Sequence, residues 1–138
     1  MADTFQLEIA TPQRRIVNEP VRDALLPGED GYFEVLPEHG ALLSILDPGV
    51  VSYRNEAGAH IFVIDGGFVE VLDNCVRVLT NHVQPAAEID AASARREMEE
   101  TSKAVGRAQE QPEAERAMHA YKLARGRVAA ADRLAAQG

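Results

Sequence analysis

Residues 63–79 read Val63-Ile64-Asp65-Gly66-Gly67-Phe68-Val69-Glu70-Val71-Leu72-Asp73-Asn74-Cys75-Val76-Arg77-Val78-Leu79. Asp73-Asn74 separates two short apolar runs, and both residue types tolerate positive φ, so the segment predicts a tight β-hairpin. Outward from it, Phe5, Leu7 and Ile9 alternate with Gln6 and Glu8, the period of a half-buried strand. Further apolar runs fall at 14–17, 21–26, 32–36, 41–46, 50–54, 60–64, 68–72 and 75–80. Between them stand turn residues: Pro27-Gly28-Glu29-Asp30-Gly31, Asp47-Pro48-Gly49, Asn55-Glu56-Ala57-Gly58 and Gly66-Gly67. Residues 1–87 therefore predict an all-β sandwich or barrel of nine or ten strands.

After Pro85 the composition changes to Ala, Glu and Arg. Asp90 is a candidate N-cap, with Ala91 opening a helix. Ala91, Ala94, Met98, Thr101, Val105 and Ala108 form one stripe at helical spacing. Gln109-Glu110-Gln111-Pro112 breaks it, and Pro112 suits the first turn of a second helix. Ala114, Ala117, Tyr121, Ala124, Val128, Ala131 and Ala135 then form a second stripe. Residues 88–138 predict an antiparallel two-helix hairpin, and the fold class is β + α. Its alanine seam buries little area, and Gly106 and Gly126 each cost about 1 kcal/mol relative to Ala in a helix. Two readings stand equally open: a marginally stable, movable helical arm on a rigid β body, and a permanently docked hairpin that stabilises the sandwich.

The 138 residues carry 14 Lys and Arg against 22 Asp and Glu, a net charge of −8. An acidic surface repels phosphate backbones and anionic lipid, so neither nucleic acid nor lipid is an expected partner. The charge is uneven. Residues 1–87 have a net charge of −8 and residues 88–138 a net charge of 0. Residues 116–133 hold Arg116, Lys122, Arg125, Arg127 and Arg133 against Asp132 alone. No apolar run is long enough to span a bilayer, and the polar start of the chain does not read as a signal peptide. Cys75 is the only cysteine. The histidines, His39, His60, His82 and His119, lack zinc-ligand spacing, and no serine sits in a nucleophile elbow. The expectation is a part of an assembly, with no catalytic residues and no metal.

Three signatures together resemble one family. Pro27-Gly28-Glu29-Asp30-Gly31-Tyr32-Phe33-Glu34-Val35-Leu36-Pro37-Glu38-His39-Gly40-Ala41-Leu42-Leu43 is the first; Val63–Val71 and Val76–Leu79 are the others. Glu88-Ile89-Asp90-Ala91 sits where that family begins its helices. The chain resembles the epsilon subunit of the bacterial F-type ATP synthase over essentially its whole length. It departs at Glu38, where the family commonly has Gly, and at Gly40 and Ala41.

The resemblance implies a non-catalytic central-stalk subunit that couples the gamma subunit to the c-subunit ring. It implies that the C-terminal helices inhibit ATP hydrolysis by reaching the alpha and beta subunits of the catalytic head. It places the chain peripherally on the cytoplasmic face of the bacterial inner membrane, held there only through the complex. The region from Glu29 to Leu43 aligns with the ring- and gamma-facing part, which marks Glu29, Asp30, Gly31, Tyr32, His39 and Leu42. Arg116, Lys122, Arg125, Arg127 and Arg133 are the candidates for meeting the acidic catalytic head. Some members bind ATP through Ile/Leu-Asp-x-x-Arg-Ala. Here Ser93 occupies the arginine position, so no cofactor is expected; the residues left for ATP would be Ile89, Asp90 and Arg127. An ATP-sensing module of the same fold and a free-standing β-sandwich adaptor are the alternative readings.

Overall fold

The computed structural model describes residues 2–137, so the outermost residues of the two expected segments, Met1 and Gly138, lie outside it. Eight strands precede two helices. They are β1 Phe5–Ala10, β2 Arg15–Val21, β3 Asp23–Gly28, β4 Gly31–Val35, β5 Leu42–Asn55, β6 Gly58–Leu72, β7 Cys75–Leu79 and β8 Val83–Pro85. A 3-10 turn at Ala86–Glu88 leads to α1 Ala91–Arg107 and α2 Glu113–Gln137. The strand order is β2-β1-β7-β6-β5-β3-β4, with β8 beside the first half of β6. Only β1 and β7 pair in parallel.

Eight strands stand in place of the expected nine or ten: two expected turns are not turns, which merges four apolar runs into two strands, and β8 was not among the expected runs. Asp47-Pro48-Gly49 and Gly66-Gly67 lie inside β5 and β6, which keep one register from Leu42↔Val71 to Asn55↔Gly58 and skip the pair Asp47–Gly66 alone. At these points the strands cross from one layer of the sandwich to the other. The pleat shows it: core residues on β6 are Phe62 and Ile64 before the glycines, Val69 and Val71 after them. Gly66 and Gly67 have φ of 101° and 139°, a region that L side chains avoid. A Cβ on Gly67 would lie 2.1 Å from the Leu79 carbonyl oxygen, so the crossing also needs close backbone approach.

Local turn chemistry holds at the other end of the same strand. Asp73 and Asn74 have φ of 51° and 59°, as a two-residue hairpin requires. Leu7, Ile9, Leu26, Val51, Ile64, Val69, Val71, Val76 and Val78 fill the space between the layers. Tyr53, 3% exposed, closes one end. Its hydroxyl donates to Glu19 Oε2 at 3.2 Å, and burial together with that carboxylate pushes the phenol above its ordinary range.

Asp90 caps α1, its Oδ1 accepting the Ser93 N–H at 3.2 Å. The two expected stripes face each other, save that Ala135 is exposed. α2 also has a second apolar side. Leu123, Ala130 and Leu134 pack on Val50, Ile61, Val63 and Ala86, so α2 lies between the sheet and α1. Gly126 is not merely a weak point in a helix. It is buried, and a Cβ there would lie 3.0 Å from Gly49 Cα, so two glycines let helix and strand touch. Gly106 is exposed with nothing near it, and the simple propensity reading stands there.

Candidate partner-binding surfaces

The stretch read as one loop from Glu29 to Leu43 is a hairpin followed by a loop. Glu29 and Asp30 form the exposed β3–β4 turn, and Gly31, at φ 130°, opens β4. Tyr32 follows, 51% exposed, with its hydroxyl accepting the Val50 N–H at 2.8 Å. His39 is exposed in the next loop, where its Nδ1 lies 2.8 Å from the Gly40 carbonyl oxygen. Glu38 has φ 62°, a backbone conformation that favours glycine. Asn74 ties this loop down: its Oδ1 accepts the Glu38 N–H at 2.7 Å, and its Nδ2 donates to the Thr4 carbonyl at 2.9 Å. Leu42 does not belong to the exposed set. It is half-buried and packed against the main core.

The largest exposed apolar surface lies elsewhere, on residues the sequence reading passed over. The outward positions of β5, β6 and β7 are Leu43 (74% exposed), Ile45, Phe68 (55%), Leu72 and Leu79. Ile45, Phe68 and Leu79 are direct cross-strand neighbours, continued by Ala10 on β1. The next row is Leu43, Glu70, Arg77 and Glu8, and Arg77 Nε lies 3.3 Å from Glu8 Oε1. A cavity of about 330 Å³, lined by Phe68, Leu79, Thr80, Gly67 and Pro12 among others, opens at the rim. The signal was present in the sequence as apolar residues at both parities of these strands. One outer face of the sandwich is thus covered by α2, and the opposite one is bare.

The five basic residues of α2 divide by environment. Lys122 Nζ bonds Asp47 Oδ2 at 2.9 Å, helix to strand. Arg127 Nη1 bonds Glu97 Oε2 of α1 at 3.0 Å, and its Nε donates to Gln84 Oε1 of β8 at 3.2 Å. Those two hold the docked arm. Arg116, Arg125 and Arg133 are exposed and make no ion pair among the described residues. Arg125 rests over the Tyr121 ring at 5.4 Å. α1 and α2 are further joined by Arg95 and Asp132 at 2.5 Å.

Ile89, Asp90 and Arg127 do meet, around a cavity of about 300 Å³ that Gln84, Glu88, Ser93 and Glu97 also line. Its three carboxylates surround one guanidinium. That guanidinium is engaged by Glu97 and Gln84, and the Asp90 carboxylate by the helix terminus. This donor set does not fit a triphosphate, which needs several free cationic donors.

Comparison with known proteins agrees with this architecture. Residues 4–86 match the family model described as ATP synthase, Delta/Epsilon chain, beta-sandwich domain. The chain is 39% identical over 103 residues to the ATP synthase epsilon chain of Solibacter usitatus, covering 75% of this chain and 77% of that protein. It is 33% identical over 133 residues to the ATP synthase epsilon chain of Syntrophobacter fumaroxidans, covering 96% and 99%. Among solved structures, a chain in the Euglena gracilis mitochondrial ATP synthase (OSCP/F1/c-ring, rotational state 1) shares the fold. Its TM-score is 0.81 at 24% identity, over 94% of this chain and 82% of that one. The family model over residues 4–86 and a relative aligned over nearly the whole of both chains agree: the chain belongs to the ATP synthase epsilon chain family.

Proposed function

We propose that this chain is a non-catalytic rotor subunit of a proton-translocating F-type ATP synthase. It joins the gamma subunit to the c-subunit ring and restrains ATP hydrolysis through its C-terminal helices. The observation that carries the reading is the bare apolar face at Leu43, Ile45, Phe68, Leu72 and Leu79. An exposed cluster of large apolar side chains of this kind, edged by the Glu70, Arg77 and Glu8 row, is the mark of an interaction surface. We assign gamma to that face and the ring to the acidic β3–β4 tip at Glu29 and Asp30, with His39 at their junction. Residues 1–87 are then the stalk-binding part and residues 88–138 the regulatory arm. Among the described residues no helix is long and apolar enough to cross a membrane, and in this reading the chain sits peripherally at the cytoplasmic face, held by the complex.

Arg116, Arg125 and Arg133 are the residues free to meet the alpha and beta subunits, while Lys122 and Arg127 belong to the docking contacts. The test is ATP hydrolysis by the cognate catalytic head stripped of this subunit, with full chain added back. Wild type is expected to suppress hydrolysis, and the Arg116→Ala, Arg125→Ala, Arg133→Ala triple variant to bind while suppressing less. Equal suppression by both removes the assignment of the three arginines, and failure of either to bind removes the stalk reading. The acidic cavity beside Arg127 argues against ATP as a ligand; calorimetry with ATP on the full chain is expected to give no saturable heat, and saturable binding would overturn that.

A further inference from the structure

Tyr32 belongs to two surfaces at once. Its ring is 51% exposed at the β3–β4 tip, yet its hydroxyl reaches the β5 backbone and accepts the Val50 N–H at 2.8 Å. The β3 ladder offers no partner there. Its register with β5 jumps between Leu25↔Ser52 and Gly28↔Leu46, leaving residues 47–51 of β5 unmatched by β3. A phenol therefore does the work of a missing strand neighbour, because a buried amide without an acceptor is costly.

The stretch that Tyr32 holds is the one on which α2 sits. A Cβ on Gly49 would lie 2.6 Å from Tyr32 Oη and 2.8 Å from Pro27 Cβ, so the strand is pressed against the tip. A Cβ on Gly126 would lie 3.0 Å from Gly49 Cα, so the helix is pressed against the strand. One turn earlier on the same side of α2, Lys122 bonds Asp47 at 2.9 Å. Two groups on one helix face grip two residues of one strand, and the phenol fixes that strand from the tip.

We propose that Tyr32 transmits the state of the β3–β4 tip to the seat of α2. Displacing the tip withdraws the hydroxyl, frees the Val50 N–H, lets residues 47–50 shift and loosens the contact between the two glycines. The path is one hydrogen bond and two van der Waals contacts, contiguous in space. It is a property of the chain alone and does not depend on what the tip binds. Because coupling is reciprocal, unseating α2 must also loosen the Val50 amide.

The test is residue-resolved amide exchange on the full chain. Tyr32→Phe keeps the ring and removes the acceptor. The Val50 amide and the amides of residues 122–131 are expected to exchange about fivefold faster, the effect of losing one net hydrogen bond. Amides of β1 and β7 should keep wild-type rates, and Glu29→Gln at the same turn should change none of these. Gly126→Ala, which unseats the helix without touching the tip, should accelerate Val50 by a similar factor. The proposal is overturned if Tyr32→Phe accelerates Val50 but leaves residues 122–131 at wild-type rates. It is equally overturned if β1 and β7 accelerate as much as α2, or if Gly126→Ala leaves Val50 unchanged.

Discussion

Gly106→Ala and Gly126→Ala are chemically the same change in the same helical hairpin, but only the second should disturb docking. In a helix interior the substitution is intrinsically favourable by about 1 kcal/mol. At Gly106 nothing lies within 4 Å of the added methyl, so that gain is realised in full. At Gly126 the methyl would sit 3.0 Å from Gly49 Cα and 3.4 Å from Gly49 C. Carbon atoms in contact prefer about 3.5–4.0 Å. Nor can the strand retreat, since Pro27 and the Tyr32 hydroxyl stand close behind Gly49. The helix must lift, and overpacking of this kind costs about 1–3 kcal/mol.

The intrinsic gain is present whether or not α2 is docked, and the overpacking exists only in the docked state. The docked-to-undocked equilibrium therefore moves by the overpacking alone, a factor of about 5–150. Urea denaturation, far-UV circular dichroism and amide exchange together read this out. Gly106→Ala should raise the urea midpoint and leave α2 protection intact. Gly126→Ala should keep its helical signal while residues 122–131 lose protection, and under the proposed function it should inhibit hydrolysis more strongly. If Gly126→Ala instead stabilises the chain like Gly106→Ala with α2 still protected, the glycine contact does not constrain docking and the reasoning fails.

Phe68→Asp places a charge in the middle of the bare face at a side chain 55% exposed; the urea midpoint should barely move, while retention on immobilised gamma should fall by at least about tenfold, as for a central interface residue. Lys122→Met removes the partly exposed pair with Asp47; exchange of α2 amides should rise about twofold to fivefold and lose its dependence on added salt. Tyr53 has its phenol pKa raised in the folded state, so its contribution is complete below its unfolded pKa of about 10 and is lost as pH rises beyond that. Tyr53→Phe should accordingly flatten the alkaline fall in stability, measured as urea midpoints from about pH 8 to about pH 11.

What was legible in the sequence was what local chemistry decides. Asp73-Asn74 turns because those residues accept positive φ, and α1 begins where Asp90 can cap it. Pro48 and Gly66-Gly67 carry the same punctuation but serve a tertiary purpose, letting two long paired strands change layer together. No local pattern separates a turn from such a crossing. The basic residues of α2 were visible as a cluster, but their division was not. Lys122 finds its partner at Asp47, and Arg127 finds Gln84 and Glu97, all distant in sequence. Leu42 was named a contact through the family resemblance, and pleat parity within an apolar run is ambiguous in the sequence; it turns to the core while Leu43 faces water.

The same ambiguity hid the bare face, and it bears on how the molecule is built. Strands with apolar residues at both parities have two faces to cover. Over one layer α2 does so, and Val50, Ile61 and Val63 outside the sandwich are as buried as Val51 and Ile64 inside it. Over the other layer none of the described residues does so, and Phe68 and Leu79 stay in water. The covering of the first face rests on a small cluster with alanines and a glycine at its centre, separate from the main core. Lifting α2 would expose that cluster while leaving Leu7, Ile9, Val69, Val76 and their neighbours enclosed by strands. Under the proposed function, a body that keeps its core when the arm leaves, and a face that no described residue covers, separate the two tasks: attachment through the bare face, and switching through the covered one.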